Sequence, residues 1–113
     1  MFLALSLLLA LACLGPAAAK LAGAPAIRES AVHFGIPWNR YRLISVPEVA
    51  AAIGVLAGLQ AHALGVAAAC GMAILLIGAL IVHRRAGDSI AAIAPALAAF
   101  AVTAGYLAVA LTR

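Results

Sequence analysis

The sequence predicts an all-α membrane protein, a four-helix transmembrane bundle with a short interfacial helix between the first and second spans. Of its 113 residues, 68% are hydrophobic and only 9% are charged, whereas a soluble domain carries about 25% charged residues. The apolar residues form four long runs separated by polar or charged connections. In hydrocarbon the backbone N–H and C=O groups of such runs must form their hydrogen bonds within helices.

The predicted spans cover residues 2–22, 43–60, 64–84 and 90–111 of a single domain, 1–113. Each approaches the roughly 20 residues that cross about 30 Å of hydrocarbon. Gly54 and Gly58 exemplify small residues at a spacing of four, which favours close packing within the bundle and leaves a homo-oligomer open. Ala17–Ala19 before Lys20 also resemble a signal-cleavage site, but the long apolar run without a basic start favours a retained span.

The segment 25–42 is the only long connection. Pro25 is predicted to begin a short helix and Gly35 to end it. Basic and aromatic residues beside apolar spans usually anchor a chain at the headgroups. The predicted anchors are Trp38, Arg40, Tyr41, Arg42, Arg84 and Arg85.

The basic residues concentrate on one side of the predicted bundle, because the first and third connections carry most of them. The positive-inside rule makes that side cytoplasmic and places both termini outside, in an integral protein of the bacterial cytoplasmic membrane. The net charge of +4 is interleaved with apolar runs. The expected partner is therefore the lipid bilayer and not a nucleic acid.

Four ionisable residues are predicted to meet at this basic face. The first and third spans end near Lys20 and His83, and the second reaches Glu48 about a turn and a half after it begins. Asp88 lies in the connection on the same side. Such groups at a membrane boundary tend to face the bundle interior. A Lys20–Glu48 ion pair is expected, with His83 sharing the carboxylate, and the cluster is the candidate ligand-binding or proton-handling site.

Two alternatives to this cluster stay open. Lys20 can extend toward water along the bilayer surface, as long basic side chains do. Ser45 and Glu48 also match a capping box, with Pro47 in the first turn. In that interpretation the glutamate ends a helix and does not line a pocket.

The remaining polar residues are assigned no chemistry. Cys13 and Cys70 are expected at depths about 10 Å and 20 Å below the basic face, too far apart for a disulfide, and are predicted to be buried structural thiols. His33 and His62 are predicted to face solvent or headgroups. No catalytic residue, metal site or cofactor is predicted.

Three segments resemble the DoxX-like family of small four-helix membrane proteins. They are Lys20-Leu-Ala-Gly23, Leu43-Ile-Ser-Val-Pro-Glu-Val-Ala-Ala-Ala-Ile-Gly54 and Gly78-Ala-Leu-Ile-Val-His-Arg-Arg-Ala-Gly-Asp88. By this resemblance Lys20, Glu48, His83 and Asp88 occupy the positions of the family pattern. Pro47 departs from that pattern and leaves the continuity of the second helix open.

The resemblance implies a fold more directly than a role, since the wider family is associated with quinone-linked redox complexes and with assembly of other membrane proteins. The expected function is that of a non-enzymatic accessory or assembly factor. Its polar pocket at the cytoplasmic leaflet would bind another membrane protein or a lipid-like ligand. The alternatives are a subunit of a quinone-linked redox complex, with quinone as its cofactor, and a small transporter or proton pathway.

Overall fold

A computed structural model describes residues 1–112. Within this range the chain forms helices and no strand, which confirms the all-α prediction. The helices are α1 (Phe2–Ala22), α2 (Pro25–Phe34), α3 (Trp38–Leu43), α4 (Ser45–Ala57), α5 (His62–Arg85) and α6 (Ile90–Thr112).

Three of the helices, α1, α5 and α6, are long and apolar enough to cross a membrane. The second predicted span, 43–60, is not one continuous helix, because α3 ends at Leu43 and α4 has only 13 residues. Thirteen residues extend about 20 Å, less than the hydrocarbon thickness. The break at Ile44 lies three residues before Pro47, which is in the first turn of α4. Proline has no N–H to donate to the carbonyl of Leu43, four residues earlier.

A close approach of backbones ends α4 and begins α5. Gly58 is buried and faces Gly65, and the hydroxyl of Tyr106 lies against both glycines. A Cβ atom at Gly58 would lie 2.5 Å from Cα of Gly65. Only small residues allow helices to approach this closely.

The four longest helices pack in a cycle, α1 on α4, α4 on α5, α5 on α6 and α6 on α1. Small and aliphatic residues dominate the interior. The buried core consists of Leu9, Ala10, Cys13, Ala51, Ala52, Val55, Ala69, Met72, Leu76, Tyr106 and Ala110. Cys13 belongs to this core, but Cys70 is exposed, so the prediction that both thiols are buried is wrong for Cys70, which faces outward from α5.

Helices α1 and α6 touch at one end and separate at the other. The rings of Phe2 and Tyr106 lie 5.0 Å apart, centroid to centroid. All buried residues of α6 lie in its carboxyl-terminal half, from Thr103 onward. Between the amino-terminal half of α6 and the adjoining part of α1 the bundle is open along one side.

The predicted short helix between Pro25 and Gly35 is present as α2, with Pro25 in its first turn. Gly23, which ends α1, and Gly35, which ends α2, both adopt the left-handed conformation, with φ of 67° and 69°. Glycine adopts this conformation without the steric penalty of a Cβ atom. These two turns fold α2 back across the end of the bundle where the predicted cluster lies.

Candidate ligand-binding site

Lys20 and Glu48 form the predicted ion pair. Nζ of Lys20, in the last turn of α1, donates a hydrogen bond of 2.9 Å to Oε1 of Glu48, in the first turn of α4. Both residues are buried, with 7% and 4% of their surface exposed. The pair offsets the cost of removing each charge from water.

Both alternatives for these residues are wrong in this structure. Lys20 turns inward, so it does not extend toward water along the bilayer surface. No side-chain hydrogen bond caps α4, and the N–H of Glu48 bonds to the carbonyl of Ile44. Ser45 therefore does not form a capping box with Glu48, and the carboxylate is available to the interior.

An aromatic ring lies beside the pair. Nζ of Lys20 lies 5.4 Å from the centroid of the Tyr41 ring, close enough for a cation–π interaction. Burial, followed by the charge of Glu48, raises the pKa of the Tyr41 phenol, so the ring stays neutral. The sequence identified Tyr41 only as an interfacial anchor, because its contact with Lys20 depends on how α3 returns to α1.

The prediction that His83 shares the carboxylate of Glu48 is wrong. Nδ1 of His83 lies 2.6 Å from Oδ2 of Asp88, and Nε2 of His33 lies 2.5 Å from Oδ1 of the same carboxylate. Asp88 reaches His83 because the chain turns back through Gly87, whose φ is 73°, and the N–H of Asp88 bonds to the carbonyl of His83. One carboxylate thus connects α2 with the end of α5.

His33 was predicted to face solvent or headgroups only. Its side chain is 52% exposed, yet it also binds Asp88. These hydrogen bonds, from His33 first and His83 second, lower the pKa of the Asp88 carboxyl. No local signal in the sequence identifies His33, because its partner is 55 residues away. His62, by contrast, is exposed, as predicted.

A cavity of about 410 Å³ adjoins the Lys20–Glu48 pair and opens between α4 and α5. A groove of about 770 Å³ runs along the open side of the bundle, between α1 and α6. The same ion pair lines this groove as well. We call the region around the residues that line both cavities the polar pocket. Its lining residues are Lys20, Phe34, Tyr41, Glu48, Met72, Leu76, Ala79 and His83.

Helix α2 covers the polar pocket on the basic side. Phe34 packs edge-on against the His83 ring at a centroid distance of 5.0 Å. Ile27 and Ser30 of α2 border the groove between α1 and α6. Phe34 is therefore a pocket residue.

The predicted anchors other than Tyr41 divide into two groups. Arg42 donates to the carbonyl of Leu21 and so ties the connection to the end of α1. Trp38 stacks with Arg28 of α2 at 4.8 Å, a contact within the connection. Arg40, Arg84 and Arg85 are exposed on the same end of the bundle. Their contact with headgroups stays a prediction. Within residues 1–112 no group of three His, Cys, Asp or Glu residues is arranged to hold a metal ion.

The helices and the pocket define a class: a small all-α membrane protein whose buried ion pair lines a cavity that opens sideways. The sequence model of the DoxX-like family matches residues 4–106, most of the chain, and the protein therefore belongs to the DoxX-like family. The resemblance identified from the sequence is thereby confirmed. Neither a curated protein nor a solved structure matches this chain.

Proposed function

We propose that this DoxX-like membrane protein is a non-enzymatic accessory protein that holds the polar head of a lipid-like ligand at the cytoplasmic leaflet. In this proposal α4 crosses the membrane together with α1, α5 and α6, and the basic end of the bundle faces the cytoplasm. The observation that carries it is the Lys20–Glu48 pair, because an ion pair is expensive to bury and this one borders a cavity of about 410 Å³.

The geometry favours binding over catalysis. The two charges of the pocket neutralise each other. Of the other polar lining residues, Tyr41 lies against Lys20 and His83 is held by Asp88. Most of the pocket wall is apolar. Such a site resembles a ligand pocket, in which a few polar groups orient a mainly apolar molecule.

Native mass spectrometry of the purified protein tests this proposal. We expect a small molecule to remain bound to the wild type and to be lost from the double variant Lys20→Met/Glu48→Leu, which removes both charges together. His62→Gln, an exposed change at the other end of the bundle, is the control and should retain the molecule. Wild-type protein that carries neither a bound molecule nor a co-purifying partner would refute the accessory role.

A subunit of a quinone-linked redox complex is the second candidate, and one observation favours it. His33 is half exposed and connects through Asp88 to His83, which lines the pocket. Imidazole and carboxylate groups in contact can pass a proton between water and a bound ligand. Quinone analysis of the purified protein tests this candidate, and an unchanged quinone response in His83→Gln would exclude the relay.

A further inference from the structure

We propose that the polar pocket takes a neutral amphiphile with a single hydrocarbon tail and a hydroxyl-bearing head, and that its tail lies in the groove between α1 and α6. This inference rests on the proposed function and specifies its ligand. The free hydroxyl of a long-chain alcohol represents the head chemistry.

The groove provides a place for one tail. Its walls are apolar side chains of α1, such as Leu8 and Leu11, and small residues of α6, such as Pro95 and Ala98. Beyond the groove, α1 and α6 come together at the contact between Phe2 and Tyr106. The groove opens sideways toward the region that lipid tails occupy, so a tail can enter without leaving hydrocarbon.

The polar end of the groove is neutral as a whole. Lys20 and Glu48 are its charged lining residues within the described range, and they cancel. A charged head would have to compete with one member of a pair that already has a 2.9 Å hydrogen bond. Separating a buried pair is strongly unfavourable, so a neutral head is favoured over a carboxylate, an ammonium or a phosphodiester.

The remaining hydrogen-bonding capacity matches a hydroxyl. No residue in the range 1–112 donates to Oε2 of Glu48, and no fully buried side-chain N or O atom in that range lacks a partner. Oε2 is therefore open to the pocket. Nζ of Lys20 has three N–H bonds and gives one of them to Oε1. A hydroxyl both donates and accepts, so it can donate to Oε2 and accept from Nζ.

Photolabelling tests the inference on the full-length protein in nanodiscs. The probe is hexadecanol with a diazirine in the tail, and we expect its adducts on peptides of α1 and α6 that line the groove. Unlabelled hexadecanol should suppress labelling at a concentration about tenfold below that of hexadecyl methyl ether, since the ether leaves Oε2 without a donor. Palmitate and phosphatidylglycerol should compete no better than the ether.

A matched pair of variants locates the tail. Ala98→Trp places a large side chain in the groove and should abolish labelling, whereas Ala101→Trp, on an exposed residue outside the groove wall, should leave it unchanged. Equal competition by phosphatidylglycerol, or labelling that survives Ala98→Trp, would overturn the inference. If either result occurs while native mass spectrometry still detects a bound small molecule, the proposed accessory function stands and only the assignment of its ligand as a long-chain alcohol is wrong.

Discussion

The Lys20–Glu48 pair connects α1 to α4 across 28 positions of sequence, so at the residue scale its main structural effect is to join two helices at the pocket. Removing one partner leaves the other charge buried and unpaired. We expect Lys20→Met to lower the free energy of unfolding by about 3 kcal/mol at neutral pH. Denaturant titration in detergent micelles, followed by circular dichroism, measures this loss.

The double variant Lys20→Met/Glu48→Leu separates pairing from simple loss of charge. Because both charges are then absent, we expect it to recover most of the stability that Lys20→Met loses. Glu29→Gln, an exposed acidic residue on α2, is the control and should change stability little. A double variant that is less stable than either single variant would show that the two side chains act independently.

The Asp88 carboxylate predicts an acid dependence of stability. Its pKa is lowered by the bonds from His33 and His83, so its contribution is present above the pKa of the unfolded chain and is lost as the pH falls through the lower, folded value. We expect the thermal midpoint of the wild type to fall more steeply in this acidic range than that of Asp88→Asn. Thermal unfolding in detergent across the pH series measures the difference. Glu29→Gln should retain the wild-type slope, and identical slopes for the wild type and Asp88→Asn would contradict the bridge.

Part of the site was readable from the sequence and part was not. Lys20 and Glu48 could be paired because helical rise fixes the depth of residues in spans of known direction. The partner of His83 could not, since it depends on the left-handed turn at Gly87. The contact of His33 with Asp88 could not be predicted, because it depends on where α2 lies on the bundle. The turns at Gly23 and Gly35 determine that position.

At the scale of elements, the junction of α4 and α5 depends on two glycines without side chains. The backbones of Gly58 and Gly65 are in contact, and Tyr106 inserts its hydroxyl beside them. We expect Gly58→Ala to lower the free energy of unfolding by about 1–3 kcal/mol, because the new methyl group meets backbone that cannot rotate away. Thermal unfolding in detergent measures the change.

Gly71→Ala is the matched control for this junction. Gly71 also lies in a helix, but a Cβ atom there would meet nothing within 4 Å. Alanine favours a helix over glycine by about 1 kcal/mol, so this variant should be as stable as the wild type or more so. Equal destabilisation by both substitutions would show that the loss at Gly58 does not come from its close approach to Gly65.

The lengths of the elements were less predictable than their order. The apolar run from 43 to 60 resembles one span, because neither the break at Ile44 nor the end of α4 at Ala57 is marked by a change in hydropathy. The first depends on the missing N–H of Pro47. The second depends on a tertiary contact, Gly58 against Gly65.

At the scale of the whole molecule, the two ends of the bundle indicate how α4, a helix of 13 residues, can cross a membrane. The polar pocket lies at one end of the bundle, and the contact of Gly58, Gly65 and Tyr106 lies toward the other. Helix α4 connects the two ends, although it extends only about 20 Å. A bilayer can thin locally around a short helix at modest cost, so the length of α4 is compatible with a fourth crossing.

Thiol accessibility tests this crossing directly. On a background of Cys13→Ala and Cys70→Ala, single cysteines are placed at Asn39, His62 and Ser89, all of which are exposed. Since α4 lies between Asn39 and His62, these two positions react from opposite sides only if α4 crosses. We expect a membrane-impermeant maleimide to label His62→Cys on intact cells, and Asn39→Cys and Ser89→Cys only after permeabilisation, because the basic connections are retained in the cytoplasm.

Labelling of Asn39→Cys and His62→Cys from the same side would show that α4 does not cross. The inverse pattern at all three positions would keep the fourth crossing but reverse the orientation, and would place the polar pocket in the outer leaflet.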